Sequence, residues 1–329
     1  MRRRDFITFL SGGVSLAWPL AVRAQQPTTQ VIGFLDPTSS DMQSDRLRAL
    51  RQALSEAGFV EGQNVAIQYR WAEGHYDRLP VLATDLVRHP VAVIVTAGGT
   101  PTALAAKSAT RTIPIVFVLG SNPVQFGLVE SLARPGGNVT GVTVLDVELV
   151  AKGFELLHDL VPTATKLGVL VNPNNLLIEA QTKEAQIAAR NLGVHLVIVN
   201  AASQSEIETA FTTLVDQRAS ALLVTGEPLF FGTAKQQIIG LAVRHRVPAV
   251  YQYPQFAAAG GLMGYGTSLA DAYRICGAYV GRILKGEKPA ELPVQRSTKV
   301  ALAINLKAAS ALGLTVPPSI LSRADDVFE

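Results

Sequence analysis

A glycine–threonine turn between two apolar segments is the stretch of this sequence best suited to bind an anion. Residues 91–95 are five consecutive apolar residues, which predict a strand buried on both faces. Gly98, Gly99 and Thr100 follow, and Pro101 suits the first turn of a helix with Thr100 as its expected N-cap. A helix that begins after a parallel strand offers free N–H groups to a carboxylate or phosphate. The alternative is a turn that binds nothing, because every doubly wound domain contains several.

Small polar residues follow several other predicted strands in the same way. Ligands of open α/β sheets bind at the carboxyl ends of the strands, so these loops are expected to line one polar site. Glu227 is the acid among them that suits an ammonium group. The candidate ligand-binding residues in these loops are Ser39, Ser40, Gly98, Gly99, Thr100, Ser121, Asn122, Asn174, Asn175 and Glu227.

Two tyrosines complete the candidate site. Tyr251 and Tyr265 stand at the ends of predicted strands, where their rings could flank an apolar or cationic part of a ligand. For each of them a place in the hydrophobic core is the alternative.

Catalytic and metal-binding motifs are absent from the sequence. It contains no strand-linked G-x-G-x-x-G, no Walker loop, no G-x-S-x-G elbow and no H-E-x-x-H, and its five histidines are scattered. We therefore name no catalytic residue, metal ligand or cofactor, and expect a binding protein rather than an enzyme.

The elements that must position these loops alternate between strands and helices, as in parallel βαβ units. Strands are predicted to start near residues 31, 64, 91 and 114, and again near 167, 194, 221 and 248. This repeat predicts an α/β fold of two doubly wound, Rossmann-like lobes. Within it, a short helix is expected over 124–133, and Asp146 and Ser268 are expected to cap helices.

Crossings of the chain near residues 145, 266 and 297 are expected to form a three-crossover hinge that lets the lobes close. The N-terminal lobe is predicted to comprise 28–144 and 267–297, and the C-terminal lobe 145–266 and 298–329.

The first 24 residues have the pattern of an export signal. Arg2, Arg3 and Arg4 precede an apolar run, and small residues before Gln25 predict cleavage after Ala24. Residues 1–24 contain four Arg and one Asp, which equals the +3 net charge of the whole chain, so the remainder is close to neutral. The positive net charge of the whole chain therefore gives no argument for nucleic-acid binding. The export signal leads us to expect a periplasmic protein. Cys276 is the single cysteine, which excludes a disulfide framework.

Ten segments along the whole chain resemble one known family. They are RRRDFITFL, WPLAVRAQQP, GFVEGQNVAIQYRWAEGHYDRLP, GGTPTALAAK, IPIVFV, RPGGNVTGV, LVNPNN, FAAAGGLMGYGTSLADAYR, GRILKGEKPAELPV and INLKAASALGLTVP. The sequence resembles the substrate-binding proteins of bacterial ABC transporters of the tryptophan/tyrosine-binding type. The resemblance implies a type I periplasmic-binding fold that delivers a small ligand to an ABC permease in the inner membrane.

The resemblance also implies roles for the candidate residues. The Gly98-Gly99-Thr100 turn would hold a ligand carboxylate with help from Ser39, Ser40, Ser121 and Asn122, and Asn174, Asn175 and Glu227 would close from the other lobe. The ligand is expected to be small and amino-acid-like or carboxylate-bearing, for example an aromatic or branched amino acid, and the protein to be a monomer. Two alternatives stay open: an enzyme of this fold acting on a phosphorylated or nucleotide substrate, and a ligand-sensing module of a receptor.

Overall fold

The computed structural model of the protein describes residues 29–39 and 44–329. The predicted export signal and Ser40 lie outside the described residues. The strands are β1 (Gln30–Asp36), β2 (Val65–Trp71), β3 (Val93–Thr96), β4 (Ile115–Leu119), β5 (Val139–Thr143), β6 (Lys166–Val171), β7 (His195–Asn200), β8 (Ala221–Val224), β9 (Ala249–Tyr251), β10 (Met263–Thr267), β11 (Gln295–Arg296), β12 (Val300–Asn305) and β13 (Asp326–Phe328).

The helices alternate with these strands along most of the chain. They are α1 (Ser44–Glu56), α2 (Leu79–Arg88), α3 (Thr100–Ala109), α4 (Val150–Leu160), α5 (Ile178–Asn191), α6 (Glu206–Asp216), α7 (Pro228–Phe231), α8 (Lys235–Arg244), α9 (Gln255–Ala258), α10 (Leu269–Leu284), α11 (Leu306–Ala311) and α12 (Pro318–Leu321).

Two separate sheets confirm the predicted two-lobe α/β fold. The first has the strand order β11-β5-β4-β3-β1-β2 and is parallel throughout. The second has the order β13-β12-β10-β9-β8-β6-β7, in which the β10–β12 pair is antiparallel. All residues of β3, β4 and β8 are buried, as expected for parallel strands covered by helices on both faces. The central strands of each sheet are therefore buried within their own lobe.

The chain passes between the two sheets three times, and the crossing segments lie side by side. The crossings fall between β5 and α4, between β10 and α10, and between β11 and β12. The Leu145 N–H donates to Thr267 Oγ1 (3.0 Å), and the Ser268 N–H donates to the Lys299 carbonyl (2.8 Å). These bonds join the three segments into one hinge. The residue boundaries of the two lobes stay a prediction.

The prediction of a helix over 124–133 is wrong. Asn122 Oδ1 accepts the Val124 N–H (3.0 Å), and Gly127 has a φ of 63°, so the segment forms turns. The Lys107 ammonium binds the Gly127 carbonyl (2.5 Å) and the Leu128 carbonyl (3.2 Å), and occupies acceptors that a helix would have used.

Of the helix caps expected at Ser268 and Asp146, the first is confirmed and the second is wrong. Ser268 Oγ accepts the Asp271 N–H (3.3 Å) at the start of α10. Asp146 does not cap α4, because that helix begins at Val150, and the Asp146 side chain is buried elsewhere.

Close contact between α1 and α10 depends on a glycine in the interior of α10. A Cβ atom built on Gly277 would lie 2.6 Å from the Leu50 carbonyl oxygen and 2.9 Å from Ala53 Cβ. Backbone atoms cannot move aside as a flexible side chain can, so the two helices can approach this closely only because Gly277 has no side chain.

No helix of the described residues is long and apolar enough to cross a membrane.

We expect Gly277→Ala to lower the free energy of unfolding by about 1–3 kcal/mol, because the added methyl group overpacks the α1–α10 contact. Gly240→Ala in α8 is the matched control, since a Cβ there meets nothing within 4 Å. In a helix interior that change should stabilise by about 0.5–1 kcal/mol. Thermal unfolding of the ligand-free protein measures both, and equal melting temperatures for the two variants would contradict this packing account.

Candidate functional site

A cavity of about 730 Å³ lies between the two lobes at the carboxyl ends of their parallel strands. The first lobe contributes the Gly98–Thr100 turn, the first residues of α3 and the end of β4. The second lobe contributes the loops that follow β6, β8 and β9. This is the position at which open α/β sheets bind their ligands, and the volume is typical of small-molecule sites.

The structure brings half of the candidate residues to this cavity. The candidates that line it are Gly98, Gly99, Thr100, Asn174, Asn175 and Glu227. The described candidates that are not among its lining residues are Ser39, Ser121, Asn122, Tyr251 and Tyr265. The ligand contacts of all of them stay predictions.

The N-terminus of α3 opens on the cavity, but its cap differs from the expected one. Gly99, with a φ of 100°, is the N-cap and Thr100 is the first helical residue, so the assignment of Thr100 as N-cap is wrong. The Thr100 hydroxyl instead shares a hydrogen bond of 2.6 Å with the Ser121 hydroxyl. Ser121 thus positions a residue of the cavity wall without lining it. The first N–H groups of α3 have no acceptor within the helix and are available to a ligand.

Glu227 is buried (1% exposed) at the centre of a hydrogen-bond cluster that joins the lobes. Its Oε1 accepts from the Tyr76 hydroxyl (2.9 Å) and from Asn172 Nδ2 (2.9 Å), and its Oε2 accepts from Asn175 Nδ2 (2.5 Å). The Leu229 N–H is a fourth donor. Burial raises the pKa of Glu227, and these donors oppose that rise. Tyr76 belongs to the first lobe, so its bond to Glu227 crosses the cleft.

Asp146 is a second buried carboxylate of the cavity wall, and it accepts fewer hydrogen bonds than Glu227 does. The Tyr253 hydroxyl donates to Asp146 Oδ1 (2.8 Å). Burial raises the pKa of Asp146 to about 7, and the negative charges of Glu148 and Glu227 add to that rise.

An arginine between aromatic rings forms another part of the wall. The Arg46 guanidinium lies 4.9 Å from the centre of the Phe231 ring and 5.8 Å from that of Tyr273. Its charge also acts on the buried Asp36, whose pKa is raised by burial and lowered in part by Arg46. Arg46 and Tyr273 come from the first lobe and Phe231 from the second, so the Arg46–Phe231 contact also spans the cleft.

Another part of the cavity wall is mostly apolar. Leu79 and Pro80 of α2 face Leu104 and Ala105 of α3 in the wall, and the second lobe adds Leu176 and Leu177. The polar groups and this apolar part together suit a ligand with a charged end and an uncharged body.

The two tyrosines predicted for the site belong instead to the second lobe's packing. Tyr251 is 1% exposed and stacks on Phe256 with a ring separation of 4.3 Å. Tyr265 lies in β10 and packs, partly buried, against the core of that lobe. Tyr251 is the last residue of β9, as predicted, whereas Tyr265 lies in the middle of β10 and not at its end.

The polar wall residues that were missed from the sequence include Arg46, Tyr76, Asp146 and Tyr253. Asp146 lies in the loop after β5, which ends at Thr143, and Tyr253 lies in the loop after β9, which ends at Tyr251. The strand-end rule would therefore have found these two, had it been extended from small polar residues to acids and tyrosines. Within residues 29–39 and 44–329, no group of three or more His, Cys, Asp or Glu side chains could hold a metal ion.

Two α/β lobes, each built on a mostly parallel sheet, enclose a ligand-sized cavity between their strand ends. This arrangement defines a solute-binding protein with the type I periplasmic-binding fold. The model of the family "ABC transporter substrate binding protein" matches residues 31–328, and the chain belongs to that family.

Three relatives illustrate the similarity. A tyrosine-binding protein of Clostridioides difficile (strain R20291) is 27% identical over 263 residues, which is 80% of this chain and 75% of that protein. The structure of a Streptococcus pneumoniae domain in complex with L-Trp is 25% identical with a TM-score of 0.82, covering 91% of this chain and 100% of that one. A ligand-free, open substrate-binding protein with adhesive properties from Clostridium difficile is 25% identical with a TM-score of 0.65, covering 91% and 99%.

Proposed function

We propose that this protein is the extracytoplasmic solute-binding component of an ABC importer, and that its lobes close on an α-amino acid with an apolar, aromatic side chain. The observation that carries the proposal is the cavity itself. Both lobes form its wall, with buried charged groups in one part and apolar side chains in the other.

The charges of the wall favour a ligand with a positive group. The acidic and basic side chains that line the cavity are Arg46, Asp146 and Glu227, two acids and one base. Arg46 also interacts with the buried Asp36, which reduces the positive charge that a ligand would meet. An ammonium group offsets the excess negative charge, whereas a phosphate group would add to it. This argues against the phosphorylated or nucleotide substrate of the alternative enzyme.

The N-terminus of α3 supplies a seat for the carboxylate of the same ligand. Its free N–H groups and the positive end of the helix dipole favour an anion at Gly99 and Thr100. The hydrogen bond between Thr100 and Ser121 uses one of two hydroxyl protons. When Ser121 donates to Thr100, the Thr100 proton is available to a ligand carboxylate.

The apolar part of the wall then receives the ligand side chain. Leu79, Leu104, Leu176 and Leu177 lie on helices or loops of both lobes and carry no charge. An aromatic ring gains from burial there. The names of two relatives, one described as tyrosine-binding and one in complex with L-Trp, support an aromatic amino acid.

The arrangement of the lobes supports closure on a ligand. The chain has a TM-score of 0.82 to the L-Trp complex but 0.65 to the ligand-free, open structure, with the same identity and coverage of this chain. The Tyr76–Glu227 bond across the cleft is a contact that opening would break. Ligands bind such proteins by favouring the closed state.

Export and transport complete the proposal. Membership of the ABC substrate-binding family supports an extracytoplasmic site, export by the signal over residues 1–24, and delivery to a permease of the inner membrane. We also propose the lobe boundaries given above and a monomeric state, since a single chain supplies both walls of the cavity.

Thermal unfolding with a panel of L-amino acids, sugar phosphates and nucleotides tests the ligand class. At about 100 times its dissociation constant, L-tryptophan or L-tyrosine should add about 2.7 kcal/mol, or about 5 °C in melting temperature. Stabilisation by a nucleotide or sugar phosphate instead would favour the enzyme, and the absence of any shift with amino acids would refute the proposal.

Thr100→Val should weaken L-tryptophan binding about three- to tenfold, because it removes a hydroxyl of the cavity wall. Thr102→Val is the matched control in the same helical turn, since the buried Thr102 hydroxyl has no partner among the described residues. The control should bind as the wild type does in calorimetric titration. Equal affinities for all three proteins would remove Thr100 from the site.

A further inference from the structure

We propose that the Asp146 carboxylate, rather than that of Glu227, binds the ammonium group of the ligand, and that binding therefore requires ionised Asp146. This assignment rests on the proposed function, because it needs a ligand with an ammonium group. It names the residue that selects amino acids over the corresponding carboxylic acids.

Glu227 has little capacity left for a ligand. Four donors already surround its carboxylate: the Tyr76 hydroxyl, the Asn172 and Asn175 amides and the Leu229 N–H. A carboxylate offers about four lone-pair sites, so an ammonium group would have to displace one of these donors. Displacing Tyr76 would break the contact that joins the lobes. Glu227 therefore stabilises the closed cleft.

Asp146 has the capacity that Glu227 lacks. Among the residues that the structure describes, Tyr253 is the one side chain that donates to its carboxylate, and it does so at Oδ1. Asp146 lines the cavity although its side chain is deeply buried. An ammonium group carries three donors and no acceptor, and a buried carboxylate with unfilled acceptor sites is its natural partner.

The Asp146 carboxylate occupies a narrow space between two glycines, one from each lobe, where a side chain would leave no room for it. A Cβ atom on Gly120, after β4, would collide with Asp146 Oδ2, and one on Gly226, after β8, would lie 3.2 Å from Oδ1. Asp146 itself directly follows the first crossing at Leu145. The carboxylate is thus enclosed by both lobes in the closed arrangement, and an ammonium group bound there would contact the hinge side of the cleft.

This enclosure couples ligand binding to closure. An ionised carboxylate buried without a positive partner is unfavourable, which is why the pKa of Asp146 rises to about 7. Glu148, itself bonded to Arg296 (2.9 Å), and Glu227 add negative charge nearby, and the Tyr253 hydroxyl opposes the rise. An ammonium group would provide the missing positive charge in the closed state only, so it would shift the lobes toward closure.

The pH dependence follows from the same carboxylate. Because the ammonium group binds the ionised form, affinity should be greatest at about pH 8 and should fall about tenfold by about pH 6, one unit below the pKa of Asp146. Tyr253→Phe removes the donor that favours the ionised form and should move this fall to higher pH. The ammonium group of a free amino acid stays protonated across this range.

The experiment compares two probes by calorimetric titration: L-tryptophan, and 3-indolepropionate, which lacks only the amino group. The wild type should prefer L-tryptophan at least tenfold at about pH 8. Asp146→Asn should bind both probes similarly and lose the pH dependence. Glu227→Gln should bind both more weakly but keep the preference and the pH dependence.

A folding control accompanies the titration. A carboxylate with a raised native pKa binds its proton more tightly in the native state than in the unfolded chain, so wild-type stability falls as pH rises from about 4 to 7. Asp146→Asn avoids that loss and should melt at or above the wild-type temperature at about pH 8 without ligand. A lower melting temperature at that pH would contradict the burial argument.

The outcomes separate the two proposals. If Asp146→Asn keeps the preference for L-tryptophan, or if Glu227→Gln loses it instead, the Asp146 assignment is overturned while the amino-acid function stands. If the wild-type protein binds neither L-tryptophan nor any other amino acid of the panel, both proposals fail.

Discussion

Burial of carboxylates between two lobes is the constraint on which this structure depends. A buried carboxylate is tolerated only where donors or positive charge compensate it, because desolvation otherwise costs several kcal/mol. Glu227 obtains its compensation from four hydrogen-bond donors, and one of them, Tyr76, lies on the opposite lobe. Glu227 therefore has all four of its hydrogen bonds only when the cleft is closed. Asp146, with its single donor, has no such compensation within the described residues.

The fold explains why these groups meet. Parallel strands direct the loops at their carboxyl ends to one edge of each sheet, and the hinge places these two edges opposite one another. The hinge bonds at Leu145 and Ser268 keep the three crossings together, so movement of the lobes alters the cleft and leaves each sheet intact. The same geometry brings the α3 N-terminus, which favours anions, to the cavity that contains the acids.

Much of the fold could be predicted from the sequence because apolar periodicity depends on local spacing alone. The strand starts, the three crossings and the Ser268 cap followed from such spacing. The helix expected over 124–133 does not form because Asn122 and Gly127 make turns there, and because Lys107, from a distant segment, binds carbonyl groups of that segment. Such a contact depends on tertiary structure, and no local pattern reveals it.

The site was predictable only in part, for a related reason. The strand-end rule located the Gly98–Thr100 turn and Glu227, which line the cavity. It could not decide which way a side chain points, and so it placed Tyr251 at a cavity that the ring does not reach. Arg46 lies within a helix, well away from any strand end, and only the packing of the two lobes brings it to Phe231. The Thr100 hydroxyl bonds to Ser121, in the loop after β4, and does not cap α3. This partner is distant in sequence, so the strand-end rule does not reveal it.

Closure on a zwitterionic ligand is the central claim of this account. The cavity combines an anion-favouring helix end with excess negative charge, and neither lobe forms it alone. Small-angle X-ray scattering of the protein with and without saturating L-tryptophan tests closure most directly. We predict that the ligand lowers the radius of gyration, as the lobes move from an open to a closed arrangement. Identical scattering curves with and without the bound ligand would contradict the account.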